Sequence, residues 1–332
     1  MAAFAHRGRL LAVTLLAIVP LVASRADAVD RMPCVGVLWV APESVVTPFQ
    51  EMVRQGLRDL GYVEGKTIRI EARFDGRPDR MAALAAELVA LPVDVIVAPS
   101  SQAVRAARGE TTRIPIVMAN VSDPVELGFV ESLGRPGRNV TGLANLSVEQ
   151  AAKNLQLLKE AIPTLTKVGV LGNPDSPNAT AVWREIQTAS RPLRLAVRRI
   201  EARRPEEIDG AVSEAIAGHY GALLVSTLEG LFFERRATIL TRATVARLPT
   251  AFAGPPAGLI ESGALFAYGA NSPAMFRRAA GFVDKILKGA NPARVPVEQP
   301  TQFELQINLA AARALGLSIP STMLIRADRV VQ

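Results

Sequence analysis

Val35-Gly36-Val37-Leu38-Trp39-Val40 is an unbroken apolar run, and a helical spacing follows it at 49–60. Such a run suits a strand buried on both faces, as in a parallel sheet, where polar alternation disappears. The next segment puts Phe49, Met52, Val53, Leu57 and Leu60 on one helical face, and Gly61 supplies the C-cap. A buried strand followed by an amphipathic helix is half of a βαβ unit, and the chain repeats it. Residues 67–73 alternate as a second strand. Residues 80–91 form an Ala/Leu helix stopped near Pro92, and Val93-Asp94-Val95-Ile96-Val97-Ala98 is a third strand. A short helix at 102–109, a strand at 114–119, a helix at 125–133 and a strand at 139–143 complete the run. Strands and helices in strict alternation predict a doubly wound parallel sheet.

The pattern then restarts. A helix at 148–162, with Ser147 as its cap, leads into strands at 167–172, 195–200, 221–225, 250–253 and 264–269. Helices at 179–190, 205–217, 233–247 and 273–288 alternate with or follow them. A Pro-rich extended stretch at 292–300 precedes a strand at 303–307 and a helix at 309–315, capped by Gly316. The chain has 332 residues, and a single core stops growing near ~250–300, so two domains are the natural division. The expected fold class is α/β, with two doubly wound parallel-sheet lobes and a cleft between them.

The amino terminus reads as a removable leader. His6, Arg7 and Arg9 form a positive region, Leu10 to Val22 an apolar one, and Ala26-Asp27-Ala28 a small-x-small cleavage site. The apolar run is too short to span a bilayer, which takes ~20 residues. A signal peptide over 1–28 and a periplasmic mature chain are expected. Cys34 stands too far beyond the apolar region for lipidation. As the only cysteine it makes no internal disulfide, and it suits a buried small hydrophobe. The net charge is +7; Arg7, Arg9 and Arg25 against Asp27 carry two of those charges, leaving about +5. The densest basic group, Arg198, Arg199, Arg203 and Arg204, lacks interleaved aromatics and is broken by Glu201 and Pro205. It reads as a solvated face, and no nucleic-acid partner is expected.

In open parallel sheets ligands sit beyond the carboxyl ends of the strands, so the loops after strands are the ones to read. They are Ala41-Pro42-Glu43-Ser44, Pro99-Ser100-Ser101-Gln102 and Asn120-Val121-Ser122-Asp123-Pro124 in the first half. In the second they are Asn173-Pro174-Asp175-Ser176-Pro177-Asn178, Ser226-Thr227-Leu228-Glu229-Gly230 and Tyr268-Gly269-Ala270-Asn271-Ser272. The candidate ligand-binding residues are Trp39, Ser44, Ser100, Ser101, Asn120, Ser122, Asp123, Asn173, Asn178, Glu229, Tyr268 and Asn271. Hydroxyls and backbone N–H groups at a helix start suit a carboxylate, which fits Ser100, Ser101 and Ser122. Glu229 or Asp123 could receive an ammonium group. Trp39 could stack on an aromatic ligand part or simply pack in the core. Ser, Asp and Asn are also ordinary helix caps.

Enzyme chemistry has little to stand on. Beyond the leader the one histidine is His219, in a helix-to-strand turn at the edge opposite the strand ends, which argues against a Ser-His-Asp triad or a His-rich metal site. A zinc cluster is ruled out by the single cysteine. Gly61-Tyr62-Val63-Glu64-Gly65-Lys66-Thr67 is P-loop-like, but its spacing is one residue short and it runs from helix to strand, the reverse of phosphate cradling. No G-x-G-x-x-G follows the first strand of either half. No cofactor is expected.

Three strings stand out: Gly56-Leu57-Arg58-Asp59-Leu60-Gly61-Tyr62-Val63-Glu64-Gly65-Lys66, Leu133-Gly134-Arg135-Pro136-Gly137-Arg138-Asn139-Val140-Thr141-Gly142 and Gln299-Pro300-Thr301-Gln302-Phe303-Glu304-Leu305. With them the chain resembles the solute-binding proteins of ABC transporters, in the branch that includes tryptophan- and tyrosine-type uptake proteins. The resemblance runs from about Pro33 to the end. It implies a type I periplasmic-binding fold, with lobes joined by a multi-strand hinge. Lobe 1 is then 33–145 plus 271–296, and lobe 2 is 146–270 plus 297–332, with hinge segments near 143–146, 269–271 and 297–301. The implied activity is capture of a small amino-acid-like or aromatic ligand by a monomer, for delivery to a membrane permease with a cytoplasmic ATPase. Two positions depart from the family. Pro99-Ser100-Ser101 stands where Gly or Thr is common, and Glu229 stands where Asp is usual. The alternatives are a sensory module that presents its ligand to a membrane receptor, and an enzyme on the same scaffold.

Overall fold

The computed structural model describes residues 31–75, 77–226, 230–254, 256 and 258–332; the leader segment lies outside them. β1 (Cys34–Trp39) is buried along its whole length. Among the described residues it lies between β2 and β3 in a five-stranded sheet of order β2-β1-β3-β4-β5. The others are β2 (Arg69–Phe74), β3 (Val95–Ala98), β4 (Ile116–Ser122) and β5 (Val140–Asn145). Every neighbouring pair is parallel. The two-residue period of a strand sorts the core. Val35, Val37 and Trp39 face α1 (Glu43–Asp59), while Cys34 and Leu38 face α2 (Met81–Ala90) and α3 (Ser101–Glu110).

The second sheet runs β12-β11-β10-β9-β8-β6-β7. Its strands are β6 (Lys167–Gly172), β7 (Ala196–Glu201), β8 (Ala222–Ser226), β9 (Thr250–Ala253), β10 (Phe266–Ala270), β11 (Phe303–Asn308) and β12 (Arg329–Val331). α4 (Ser147–Ala161) and α5 (Ala179–Ser190) cover one face; α6 (Ile208–Ala217) and α8 (Arg236–Val245) cover the other. α7 (Gly230–Glu234) precedes α8. α9 (Ser272–Leu287) follows β10 in sequence but packs on the first sheet, where Met275, Phe276, Ala279 and Val283 join the core of β1 and α1. After α9 the chain returns to the second sheet as β11, then α10 (Leu309–Ala314), α11 (Ser321–Ile325) and β12.

Several expectations need correction. β11 runs antiparallel to β10, because it enters that sheet from the opposite end. No helix forms at 125–133. Residues 124–128 make one turn, which Gly128 ends at φ 65°, and Phe129 and Val130 fold back into the core. The helix expected at 233–247 breaks at Arg235. α1 begins six residues early and carries Pro48 inside it, and neither α11 nor β12 was anticipated. The P-loop-like stretch is a helix end: Gly61 at φ 88° donates to Arg58 O, and Tyr62 N–H donates to Leu57 O. His219 occupies the turn before β8, at φ 50°. In the Arg198–Arg204 group, Arg199 pairs with Glu201 at 3.3 Å and Arg204 with Glu207 at 2.9 Å.

α1 and α9 cross most closely at Gly56, where an added Cβ would lie 2.2 Å from Arg277 O. That oxygen is backbone and cannot swing away. Gly56→Ala is therefore expected to lower stability by about 1–3 kcal/mol, read from the urea unfolding midpoint.

The chain passes between the two sheets three times: from β5 to α4, from β10 to α9, and from α9 to β11. The third passage is tied to the first. Glu298 N–H donates to Gly142 O, and Ala144 N–H donates to Glu298 O, both at 2.9 Å. The Glu298 carboxylate holds Arg278 of α9 through two contacts of 2.9 Å. The Arg278 hydrogen bond keeps the Glu298 carboxyl below its ordinary range, against an opposing effect of burial. A lowered carboxylate stabilises the fold above its unfolded pKa of ~4.3 and loses that contribution as pH falls through the folded value. The pair is partly exposed, so the magnitude is small. Glu298→Gln should lose about 0.5–1 kcal/mol at neutral pH and progressively less as pH falls below the ordinary carboxylate range, measured by paired urea titrations.

Candidate functional site

A cavity of about 160 Å³ lies between the carboxyl ends of the two sheets. Cavities near 150 Å³ hold a benzene-sized molecule, so this one suits a small ligand. From the first sheet it receives Trp39 at the end of β1, Ser100 and Ser101 after β3, and Asn120 near the end of β4. From the second sheet come Ala253 at the end of β9, Gly254 just after it and Ala270 at the end of β10. Asn145, Ser147 and Gln150 line it from the first passage between sheets, and Ser272 from the second.

One wall is aromatic. Phe276 of α9 contacts Trp39 with centroids 5.6 Å apart and Phe49 of α1 at 5.2 Å. Phe49 meets Phe233 of α7 edge-on at 5.9 Å. The series Trp39–Phe276–Phe49–Phe233 thus runs from the first lobe to the second. Arg236 lies over the Phe233 ring at 4.4 Å, the cation–π geometry that holds a ring in place.

The other wall is a polar network. Asn120 reaches it because β4 carries an extra residue: Met118 pairs with Gly142 and Val121 with Ala144. Such a bulge re-aims a side chain. It also requires a glycine on β5, since a Cβ at Gly142, φ 126°, would lie 2.1 Å from Met118 O. Asn145 Nδ2 donates to Asn120 Oδ1 at 2.7 Å, and Asn120 Nδ2 donates to Ser272 Oγ at 3.2 Å. Ser147 does not cap α4 as expected, for α4 begins without a side-chain cap. Its hydroxyl instead bonds with Ser122 Oγ at 2.7 Å and with Asn145 Oδ1. Across the cleft, Asn178 Nδ2 donates to Ser101 Oγ at 3.4 Å, both residues being buried.

Of the twelve candidate residues, Trp39, Ser100, Ser101, Asn120 and Asn178 line the cavity. Six others are placed elsewhere. Ser44 is exposed in the first turn of α1. Ser122 is buried behind the polar wall, bonded to Ser147. Asp123, at φ 44°, accepts from Glu126 N–H at 3.4 Å and shapes a turn. Asn173 accepts from Asp175 N–H at 2.9 Å and lines a smaller depression against α5. Tyr268 stacks on Phe303 at 6.1 Å, and burial raises its phenol pKa. Asn271 caps α9 by accepting from Ala274 N–H at 2.8 Å. Glu229 lies outside the described residues. The reading of loops missed Asn145, Ser147, Gln150 and Ser272 and the three phenylalanines. The available signal was Gln150 and Asn154, polar residues four apart on the buried face of α4.

Among the described residues no group of three or more His, Cys, Asp or Glu is placed to hold a metal ion. None of their helices is long and apolar enough to cross a membrane. The described lining is serine, asparagine, glutamine, aromatic and aliphatic. It can enclose and orient a small molecule that has one apolar and one polar end.

The family model for ABC transporter substrate binding proteins matches residues 43–331. A "Tyrosine-binding protein" of Clostridioides difficile (strain R20291) is 28% identical over 267 residues, covering 79% of this chain and 75% of that protein. A solved ABC domain from Streptococcus pneumonia in complex with L-Trp superposes with a TM-score of 0.83 at 23% identity, covering 91% of this chain and all of that one. The ligand-free, open structure of a substrate binding protein with adhesive properties from Clostridium difficile gives a TM-score of 0.64 at 24% identity, covering 90% and 99%. The architecture is that of the type I periplasmic-binding fold, with two lobes.

Proposed function

Because the chain belongs to the family of ABC transporter substrate binding proteins, we propose that it is the extracytoplasmic binding component of an uptake system. It captures a small amino-acid-like ligand, aromatic or otherwise bulky at one end, by closure of its two lobes. One observation carries this reading: the cavity draws its walls from the carboxyl ends of both sheets, and the Asn178–Ser101 bond spans it. A ligand held there touches both lobes only when they are together. Differential contact of this kind is what shifts a population toward a closed state.

The aromatic wall supports a ring-bearing ligand, since offset and edge-on ring contacts are favourable beyond the area they bury. The relatives add support: one is named for tyrosine, and another was solved with L-Trp. The backbone also superposes better on that L-Trp complex than on the open, ligand-free structure, 0.83 against 0.64. In this reading the leader over 1–28 directs export to the periplasm and is cleaved after about Ala28. The protein works as a monomer, without a cofactor and without chemistry on its ligand. Its closed form is what a membrane permease with a cytoplasmic ATPase recognises.

Titration calorimetry of the mature protein with L-tyrosine and L-tryptophan tests the reading. We expect saturable one-to-one binding of at least one of them, in the micromolar range or tighter. Absence of binding by both, and by a panel of other aromatic and branched amino acids, would refute amino-acid capture.

A further inference from the structure

Two buried groups of the cavity lack a partner in the protein, and both are donors. Trp39 is 3% exposed and its indole N–H is unpaired; Gln150 is 7% exposed and its side-chain NH₂ is unpaired. Both residues line the cavity. An indole nitrogen can only donate. The Gln150 amide is oriented by Ala270 N–H, which donates to Gln150 Oε1 at 3.2 Å. A backbone N–H needs an acceptor there, so the amide cannot turn round without orphaning it. Its NH₂ is left on the other side.

The adjoining network is oriented in the same way by a single backbone group. Ser147 N–H donates to Asn145 Oδ1 at 3.1 Å, which fixes the Asn145 amide. Asn145 Nδ2 must then donate to Asn120 Oδ1, and Asn120 Nδ2 to Ser272 Oγ. The side-chain oxygens of Asn145 and Asn120 are thereby engaged inside the network. Ser272, itself 2% exposed and lining the cavity, accepts from Asn120 and keeps its hydroxyl proton to give. Within this network the acceptors are consumed while donors remain; the unpaired acceptor Asn154 Oδ1, also on α4, belongs to a residue that does not line the cavity. Buried polar groups are almost always paired, so donors left over define the complement they need.

We propose that the end of the cavity next to the passages between lobes is a donor subsite for an oxygen acceptor, a carboxylate or carbonyl of the ligand. Trp39 gives a hydrogen bond from β1 of the first sheet, Ser272 one from α9 packed on that sheet, and Gln150 one from α4 of the second. An ammonium group there would bring further donors against donors. The carboxylate of an amino-acid-like ligand therefore belongs at this end, with its apolar part along the phenylalanine wall. A site built to bond one polar group discriminates strongly against an analogue that lacks it. The proposal rests on the reading of this cavity as the ligand site.

The test is calorimetry on the full mature chain with two length-matched probes, 3-phenylpropanoate and 3-phenylpropylamine, alongside L-tyrosine and L-tryptophan. The acid should bind at least about tenfold tighter than the amine. Gln150→Glu keeps an oxygen for Ala270 N–H but replaces the unpaired donor with a carboxylate oxygen. It should weaken the acid by about tenfold or more and narrow or reverse the preference. Ser272→Ala and Trp39→Phe should each weaken the acid several-fold more than they weaken the amine; they carry the comparison should Gln150→Glu fail to fold. Equal or tighter binding of the amine, or acid binding unchanged in the variants, overturns the donor subsite while leaving ligand capture intact. If only the amino acids bind, the same variants must weaken them to the same extent, and unchanged affinity overturns the subsite. If no compound binds, the cavity is not the ligand site, and the subsite falls together with the reading beneath it.

Discussion

Phe276→Ala is expected to lower the unfolding free energy by about 3–5 kcal/mol and to abolish measurable ligand binding. Phe276 is 5% exposed and belongs to the core between β1, α1 and α9. Its ring is the middle member of the aromatic series, touching both Trp39 and Phe49. Truncation removes a buried ring and leaves a space among α1, α9 and β1 that their packed neighbours only partly close. Each lost ring pair adds about 0.5–1.5 kcal/mol beyond area. The new space opens into the ligand cavity, so ligand and side chains alike lose a wall. Phe276→Leu keeps most of the volume and should cost less than half as much. Urea unfolding of the three proteins, followed by circular dichroism, measures the series. Equal midpoints for Phe276→Ala and the parent would show that the ring is not part of the core.

Gly230→Trp should reduce ligand affinity by about 100-fold, or about 2.8 kcal/mol, with little change in stability. Gly230 begins α7 on the second lobe, and an added Cβ would stand 3.2 Å from the Ala41 Cβ of the first lobe. Both residues line the cavity. An indole cannot fit that space with the lobes together, yet each lobe keeps its own core. Binding and folding thus separate, whereas a core substitution such as Phe276→Ala loses both. Calorimetry gives the affinity, and the thermal midpoint, expected within about 2 °C of the parent, gives the stability. A variant that binds as tightly as the parent would show that capture does not need the lobes together.

The strands were legible in the sequence for a plain reason. Val35–Val40 and Val93–Ala98 are buried on both faces, and such strands write themselves as continuous apolar runs. Residues 125–133 misled because Leu127, Val130 and Leu133 keep helical spacing while Gly128 takes a left-handed turn that spacing does not report. The carboxyl ends of β1, β3 and β4 were identifiable from topology, and they deliver Trp39, Ser100, Ser101 and Asn120 to the cavity. Phe49, Phe233 and Phe276 were not distinguishable, because a ring that faces a cavity and one that faces a core occupy the same helical positions. Ser147 read as a cap because a serine at a helix start usually is one. Its partner Ser122 lies 25 residues away, on a strand of the other lobe, and no local pattern encodes that contact. Gln150 needed Ala270, 120 residues distant, before its free NH₂ acquired a meaning.

In the proposed function, one small ligand draws the two lobes together around the cavity. Small-angle X-ray scattering of the mature protein, with and without saturating ligand identified by calorimetry, tests it most directly, with Gly230→Trp at the same concentrations as a control. Closure gives a smaller radius of gyration for the ligand-saturated parent and no change for the variant. A radius unchanged by saturating ligand in the parent would contradict it.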